Sequence, residues 1–399
     1  MLKRHLGESY SPLYFLAALG PGGLAVSFFM YLMFLVPHKG TPMAALKHWL
    51  PLVEQGGLTA ILILAVLAIF IALALLHFAL MIWNFQEFKE FKLTSHYQQL
   101  KQSNGEVTLM AAPLAVAMSI NLLFIIGSLF VPNLWSFVQA LFPFASIGFA
   151  LVGLWAMKIY GQYMMRLFEQ GDFNHQINNS FAQLLGPFTF SMIAVGLAAP
   201  GAMSHSTLVS GLSLGLSSLF VGLTVILSVV WLFASLKQIS SQGFDKSAAP
   251  TLWILIPILT LVGITFVRQT MGVHHNFAAE LQNSNFLQIM SLFLGLQLVI
   301  GLFGYRVMKN MGYFEEFVHG DKHSPASFGL VCPGVALVVF GFFFINYALI
   351  MNGVIDKYSL AHWGLIVPFT TVQIITGWIM LKLIKRQIVQ PTPLNSQSA

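Results

Sequence analysis

The sequence predicts an all-α membrane protein in which ten transmembrane helices form five repeated hairpins. Composition is the first of three observations behind this. Hydrophobic residues make up 57% of the 399 residues and charged residues 8%, with a mean hydropathy of +0.78; soluble domains carry about 25% charge. Second, ten stretches reach the roughly 20 apolar residues that a bilayer crossing requires. They run over 13–37, 57–84, 108–131, 134–160, 181–203, 207–235, 250–271, 285–308, 327–352 and 359–384. Third, proline recurs near the start of every odd-numbered stretch: Pro21 in LGPGGLAVSFF, Pro113 in MAAPLAVAMSI, Pro187 in LLGPFTFSMIA, Pro257 in LIPILTLVGIT and Pro333 in LVCPGVALVVF. Recurrence at the length of one hairpin and its loop marks an internal repeat.

Residues 1–12, with Lys3 and Arg4, read as a cytoplasmic N-terminus. The following run reads as a retained first helix, because Gly20–Gly23 leads into more apolar sequence without a small-residue cleavage site. A bilayer lets all ten helices share one bundle, so residues 13–386 form a single domain; 387–399, ending in QPTPLNSQSA, read as a disordered cytoplasmic tail. Even-to-odd connections are long and charged, as in NFQEFKEFKLTSHYQQLKQSNGE (84–106) and KNMGYFEEFVHGDKHSPAS (309–327). Of the 19 Lys and Arg, only Lys39, Lys47, Arg268 and Lys357 fall on the opposite side. By the positive-inside rule both termini are cytoplasmic. The runs QEFKEFK (86–92) and MKIYGQYMMRLFEQGDF (157–173) extend even helices as amphipathic anchors at that interface.

Proline frees the carbonyl four residues earlier, and an unsatisfied carbonyl facing lipid costs several kcal/mol. Five such positions imply five kinked inner helices around a central pore, enclosed by the Phe-, Leu- and Ile-rich even helices. The alternative is that these prolines only start helices at the interface, where proline is tolerated.

The odd stretches hold no acidic residue in their apolar cores, and the seventh has only Arg268 near its outer end. Ion-coupled carriers usually keep an intramembrane carboxylate, so the pattern favours a passive path. Small polar groups and backbone N–H groups near the prolines could stabilise an anion there. Candidates are Gly20, Gly22, Gly23, Ser27, Ser119, Asn121, Thr189, Ser191, Thr260 and Gly334, with the pairs Gly20–Pro21 and Gly186–Pro187 foremost. The same small residues also suit tight helix packing.

Cys332, the only cysteine, excludes an intramolecular disulfide and a zinc motif. Helical spacing puts Cys332, Ala336, Val339 and Phe343 on one face; a pore-facing thiol and an inert buried one are both open. Within VVFGFFFINY, Phe343 or Phe340 could form a hydrophobic constriction, or the aromatics could fill the core. His77 alone lies deep in a stretch, which argues for an interhelical hydrogen bond against haem. His274 and His275 with Glu280 make a weak metal signal. No Walker, GxGxxG or HExxH motif occurs, and the one GxSxG match, GLSLG (211–215), lies inside an apolar stretch with no β segment to present its serine, so no enzyme, cofactor or nucleic-acid role is expected.

Ten spans with five proline-marked odd helices resemble the slow anion channel and tellurite-resistance/dicarboxylate transporter (TehA-like) superfamily, over about residues 10–386. The resemblance implies an inner-membrane channel or uniporter for small anions, a central pore of odd helices and a homotrimer in membrane lipid. It also implies a phenylalanine plug on the ninth helix, where this chain carries Cys332 before Pro333. A lone cysteine at this place is similar to the TsoY-type (seleno)protein branch, which implies a sulfur or selenium oxyanion as cargo. The alternatives are a sulfur or selenium relay protein using Cys332 and a cation-coupled secondary carrier.

Overall fold

A computed structural model describes residues 2–277 and 279–389. Ten helices are long and apolar enough to cross a membrane. They are α1 Pro12–Leu35, α2 Gly57–Phe91, α3 Asn104–Phe130, α4 Leu134–Gln170, α5 Ala182–Met203, α6 Thr207–Gln242, α7 Lys246–Phe277, α8 Asn283–Asn310, α9 Pro325–Ile350 and α10 Leu360–Gln387. No β-strand occurs among the described residues beyond an isolated bridge between Leu2 and Val389. That bridge, with Lys3 N–H donating to the Ile388 carbonyl at 2.8 Å, places both ends of the bundle on one side. It also corrects the expected tail: residues 387–389 are ordered against the N-terminus, and 390–399 lie outside the described residues.

Odd helices are inside and even helices outside. Burial of the most apolar window is 56% to 89% in the odd helices and 17% to 28% in the even ones. The sequence explains the division. The even helices carry bulky apolar side chains on most of their circumference, and the exposed ones, such as Ile61, Leu154, Leu212, Leu302 and Ile374, suit contact with acyl chains. The odd helices carry glycine and alanine where they cross neighbours, which lets backbones approach. A Cβ at Gly196 of α5 would overlap the Phe149 ring of α4, and one at Gly334 of α9 would overlap Thr376 of α10.

Polar side chains of the outer helices turn inward and bond to the inner ones. His77 of α2 is fully buried: Nδ1 is 2.7 Å from the Ala18 carbonyl of α1 and Nε2 is 2.8 Å from Ser119 Oγ of α3. Ser217 of α6 donates to the Ala194 carbonyl of α5 at 2.8 Å. Gln297 of α8 donates to Thr260 Oγ1 of α7 at 3.0 Å, and Gln373 of α10 donates to Ser27 Oγ of α1 at 2.7 Å. With no water in the hydrocarbon, these groups have to find partners inside the protein.

The expected proline breaks take a definite form. Every odd helix opens as a 3₁₀-helix, over Pro12–Tyr14, Asn104–Met110, Ala182–Leu184, Lys246–Trp253 and Pro325–Leu330. No even helix does. The α-helical parts then begin at Phe15, Ala111, Leu185, Leu255 and Val331, so Pro113, Pro187, Pro257 and Pro333 each fall at the third α-helical residue. The chain stays helical while the hydrogen-bond pattern changes from i−3 to i−4. The missing proline N–H then falls in the first α turn, where it is least costly. Pro21 differs, lying inside the α-helix among Gly20, Gly22 and Gly23.

Candidate functional site: a two-chamber central cavity

All five inner helices contribute to the wall of a cavity of about 160 Å³, together with Phe142, Ala145 and Phe149 of α4. Its wall includes Gly20 and Gly23 of α1, Asn121 of α3, Met192 of α5, Thr260 and Arg268 of α7, and Cys332 and Phe343 of α9. Met43, in the connection after α1, and Met203, at the end of α5, also line it, so this chamber extends toward the ends of the odd helices away from the termini. A second cavity of about 90 Å³ lies toward the termini, among the 3₁₀ openings: Leu13, Thr108, Ala182, Thr251 and Gly329 mark the five repeats around it.

Three residues line both cavities: Phe188, Pro257 and Cys332. They form the throat between the chambers, and each lies beside or at the repeated proline of its helix. Phe188 is the only aromatic ring among them and is 4% exposed. Sequence reasoning missed it; its place directly after Pro187, close to the register of Cys332 before Pro333, was the available signal.

The other sequence candidates divide clearly. Cys332, Ala336, Val339 and Phe343 all line the larger chamber, as one helical face requires. Pro333 lines the smaller one. Pro21, Pro113, Gly186 and Pro187 line neither chamber; Gly186 lies against the Tyr160 ring. Phe340 is corrected as a constriction: its fully buried ring packs against Gly263 and lies 6.5 Å from the Phe293 ring, away from the cavity. Several polar candidates serve the scaffold instead. Ser119 meets His77, Ser27 meets Gln373, Thr189 donates to the Met110 carbonyl at 2.9 Å, and Ser191 donates to the Phe188 carbonyl at 2.7 Å. Thr260 lines the chamber, but its hydroxyl donates to the Ala336 carbonyl at 3.1 Å and accepts from Gln297. Gly22 and Gly334 are pressed against His77 and Thr376.

At the far ends of the helices, His274 Nδ1 is 2.6 Å from the Ala279 carbonyl, and the His205 and His275 rings lie 5.4 Å apart. No group of three or more potential His, Cys, Asp or Glu ligands forms among the described residues.

The electrostatics of the larger chamber rest on one residue. Among the described residues, Arg268 is the only charged side chain lining either cavity. It is half-buried, and Nη1 donates to the Val195 carbonyl of α5 at 2.9 Å. No carboxylate among the described residues lies within 4.0 Å of it. Arg166, near the terminal side, shows the contrast: it pairs with Glu106 at 3.0 Å and with Asp172. Removing an arginine from water is costly unless a partner compensates it. The larger chamber is therefore an apolar space with one uncompensated positive charge. Comparison with protein-family models, with curated proteins and with solved structures finds no match to this chain.

Proposed function

We propose that this protein is a channel or uniporter for small anions, acting through the central cavity in an inner membrane with both termini cytoplasmic. The observation that carries the reading is Arg268, a guanidinium with no carboxylate within 4.0 Å among the described residues, on the wall of a cavity to which all five inner helices contribute. Positive potential focused by low-dielectric walls concentrates anions and repels cations. Neither chamber is lined by Asp or Glu, which fits passive movement better than coupling to a cation gradient. The throat of Phe188, Pro257 and Cys332 is then the barrier that a dehydrated anion must pass.

The resemblance to slow anion channel and TehA-like proteins agrees with this reading, as do its further implications of a homotrimer and a sulfur or selenium oxyanion cargo. The test is flux through purified protein in proteoliposomes. Chloride, nitrate, sulfite or selenite passes while potassium is retained. Exclusion of all four anions, or equal passage of potassium, overturns the proposal.

A further inference from the structure

Resting on the reading of the cavity as an anion path, the geometry points to Arg268 as the binding site for a monovalent anion in the larger chamber. A guanidinium carries five N–H donors. One is bonded to the Val195 carbonyl, which fixes the plane of the group against α5. The other four have no acceptor among the described residues, and none of these nitrogens is a fully enclosed, unsatisfied atom. The side chain that carries them lines the chamber. Two adjacent donors match two oxygens of one anion, the bidentate arrangement for which arginine is suited.

Valence follows from charge balance. The chamber supplies one positive charge, and its other lining groups are apolar or neutral. A monovalent anion at Arg268 leaves the chamber neutral. A divalent anion leaves a net negative charge in an apolar space, with a desolvation cost that nothing on the wall offsets. A volume of about 160 Å³ admits a small ion together with several waters. The ligand class is therefore a small monovalent anion with two oxygens to present, such as nitrate, hydrogen sulfite or a short monocarboxylate.

Thermal unfolding of the detergent-solubilised protein, in nitrate and in sulfate at matched ionic strength, tests this without any transport. The quantity read is the difference in Tm between wild type and Arg268→Gln in each salt, because general salt effects then cancel. Nitrate stabilises wild type over Arg268→Gln with a saturable dose dependence, Arg268→Lys retains a weaker response, and sulfate gives none. An equal nitrate response in Arg268→Gln, or an equal response of wild type to sulfate, overturns the assignment. If Arg268→Gln does not fold, wild type against Arg268→Lys in the two salts decides it. Nitrate binding at Arg268 without flux removes the channel reading and leaves the site. Anion flux unaltered by Arg268→Gln removes the site and leaves the channel.

Discussion

The inner and outer helices of this bundle are made of similar apolar residues, yet they differ in almost every structural respect. Inner helices open as 3₁₀ segments, carry the repeated prolines, and are buried over more than half of their apolar length. Outer helices are α-helical throughout, and α2, α4 and α6 are 35, 37 and 36 residues long, well beyond the roughly 20 needed to cross. The difference shows where irregular backbone is allowed in a membrane protein. A helix facing lipid keeps the α pattern, even where Pro143 of α4 and Pro368 of α10 each remove one N–H, whereas one facing protein or a cavity can change its pattern.

The largest effect expected from this comparison is steric. Gly196→Leu forces a side chain into the Phe149 ring, an overpacking that costs about 1–3 kcal/mol or more. Gly215→Leu on α6, where an added Cβ meets nothing within 4 Å, leaves stability unchanged or slightly higher. Unfolding in mixed micelles separates the pair, and equal losses at the two positions would contradict the inner and outer assignment.

Next in size is the throat. Phe188→Ala removes the only ring shared by the two chambers. Chloride flux across proteoliposomes, which must cross the throat, then accelerates at least about tenfold, which corresponds to about 1.4 kcal/mol of barrier. An unchanged rate means that another group closes the path.

Polar latching is smaller still. His77→Leu breaks the contacts of α2 with Ala18 and Ser119 and costs about 1 kcal/mol, within the range for hydrogen bonds between membrane helices. Thr371→Val on the lipid side of α10, where the hydroxyl bonds only to the Val367 carbonyl of its own helix, costs nothing measurable.

The smallest effect lies outside the membrane. Lys246 at 2.5 Å and Lys322 at 2.8 Å hold the Glu316 carboxyl below its ordinary pKa. A depressed folded pKa gives a contribution that is present at neutral pH, begins to fade as pH falls below the unfolded value of about 4.3, and is gone below the folded one. A Glu316→Gln variant therefore differs slightly from wild type at pH 7 and not at all in strong acid, as paired melts would record.

How much of this was legible in sequence follows from what each feature depends on. The ten spans, and the choice of which five lie inside, depend on hydropathy and on prolines 21, 113, 187, 257 and 333, all local signals. Arg268 was visible as the only charge in an odd span. That it faces the cavity unpaired depends on α5 placing the Val195 carbonyl against it, a contact across 73 residues. Phe188 is one of 36 phenylalanines, and only the convergence of α5, α7 and α9 distinguishes it from Phe340, which packs outward. Ser119 and Ser27 looked like pore groups because periodicity could not show that His77 and Gln373 reach in to meet them.

Cys332 offers the most direct test of the central claim, because it is the chain's only thiol and lines both chambers. Its modification rate in the reconstituted protein is measured with a sulfonate-bearing and a trimethylammonium-bearing methanethiosulfonate of similar size. An anion path focused by Arg268 predicts reaction with the sulfonate at least about tenfold faster, and loss of that preference in Arg268→Gln. Equal rates for the two reagents in wild type, or no reaction with either, would contradict the account.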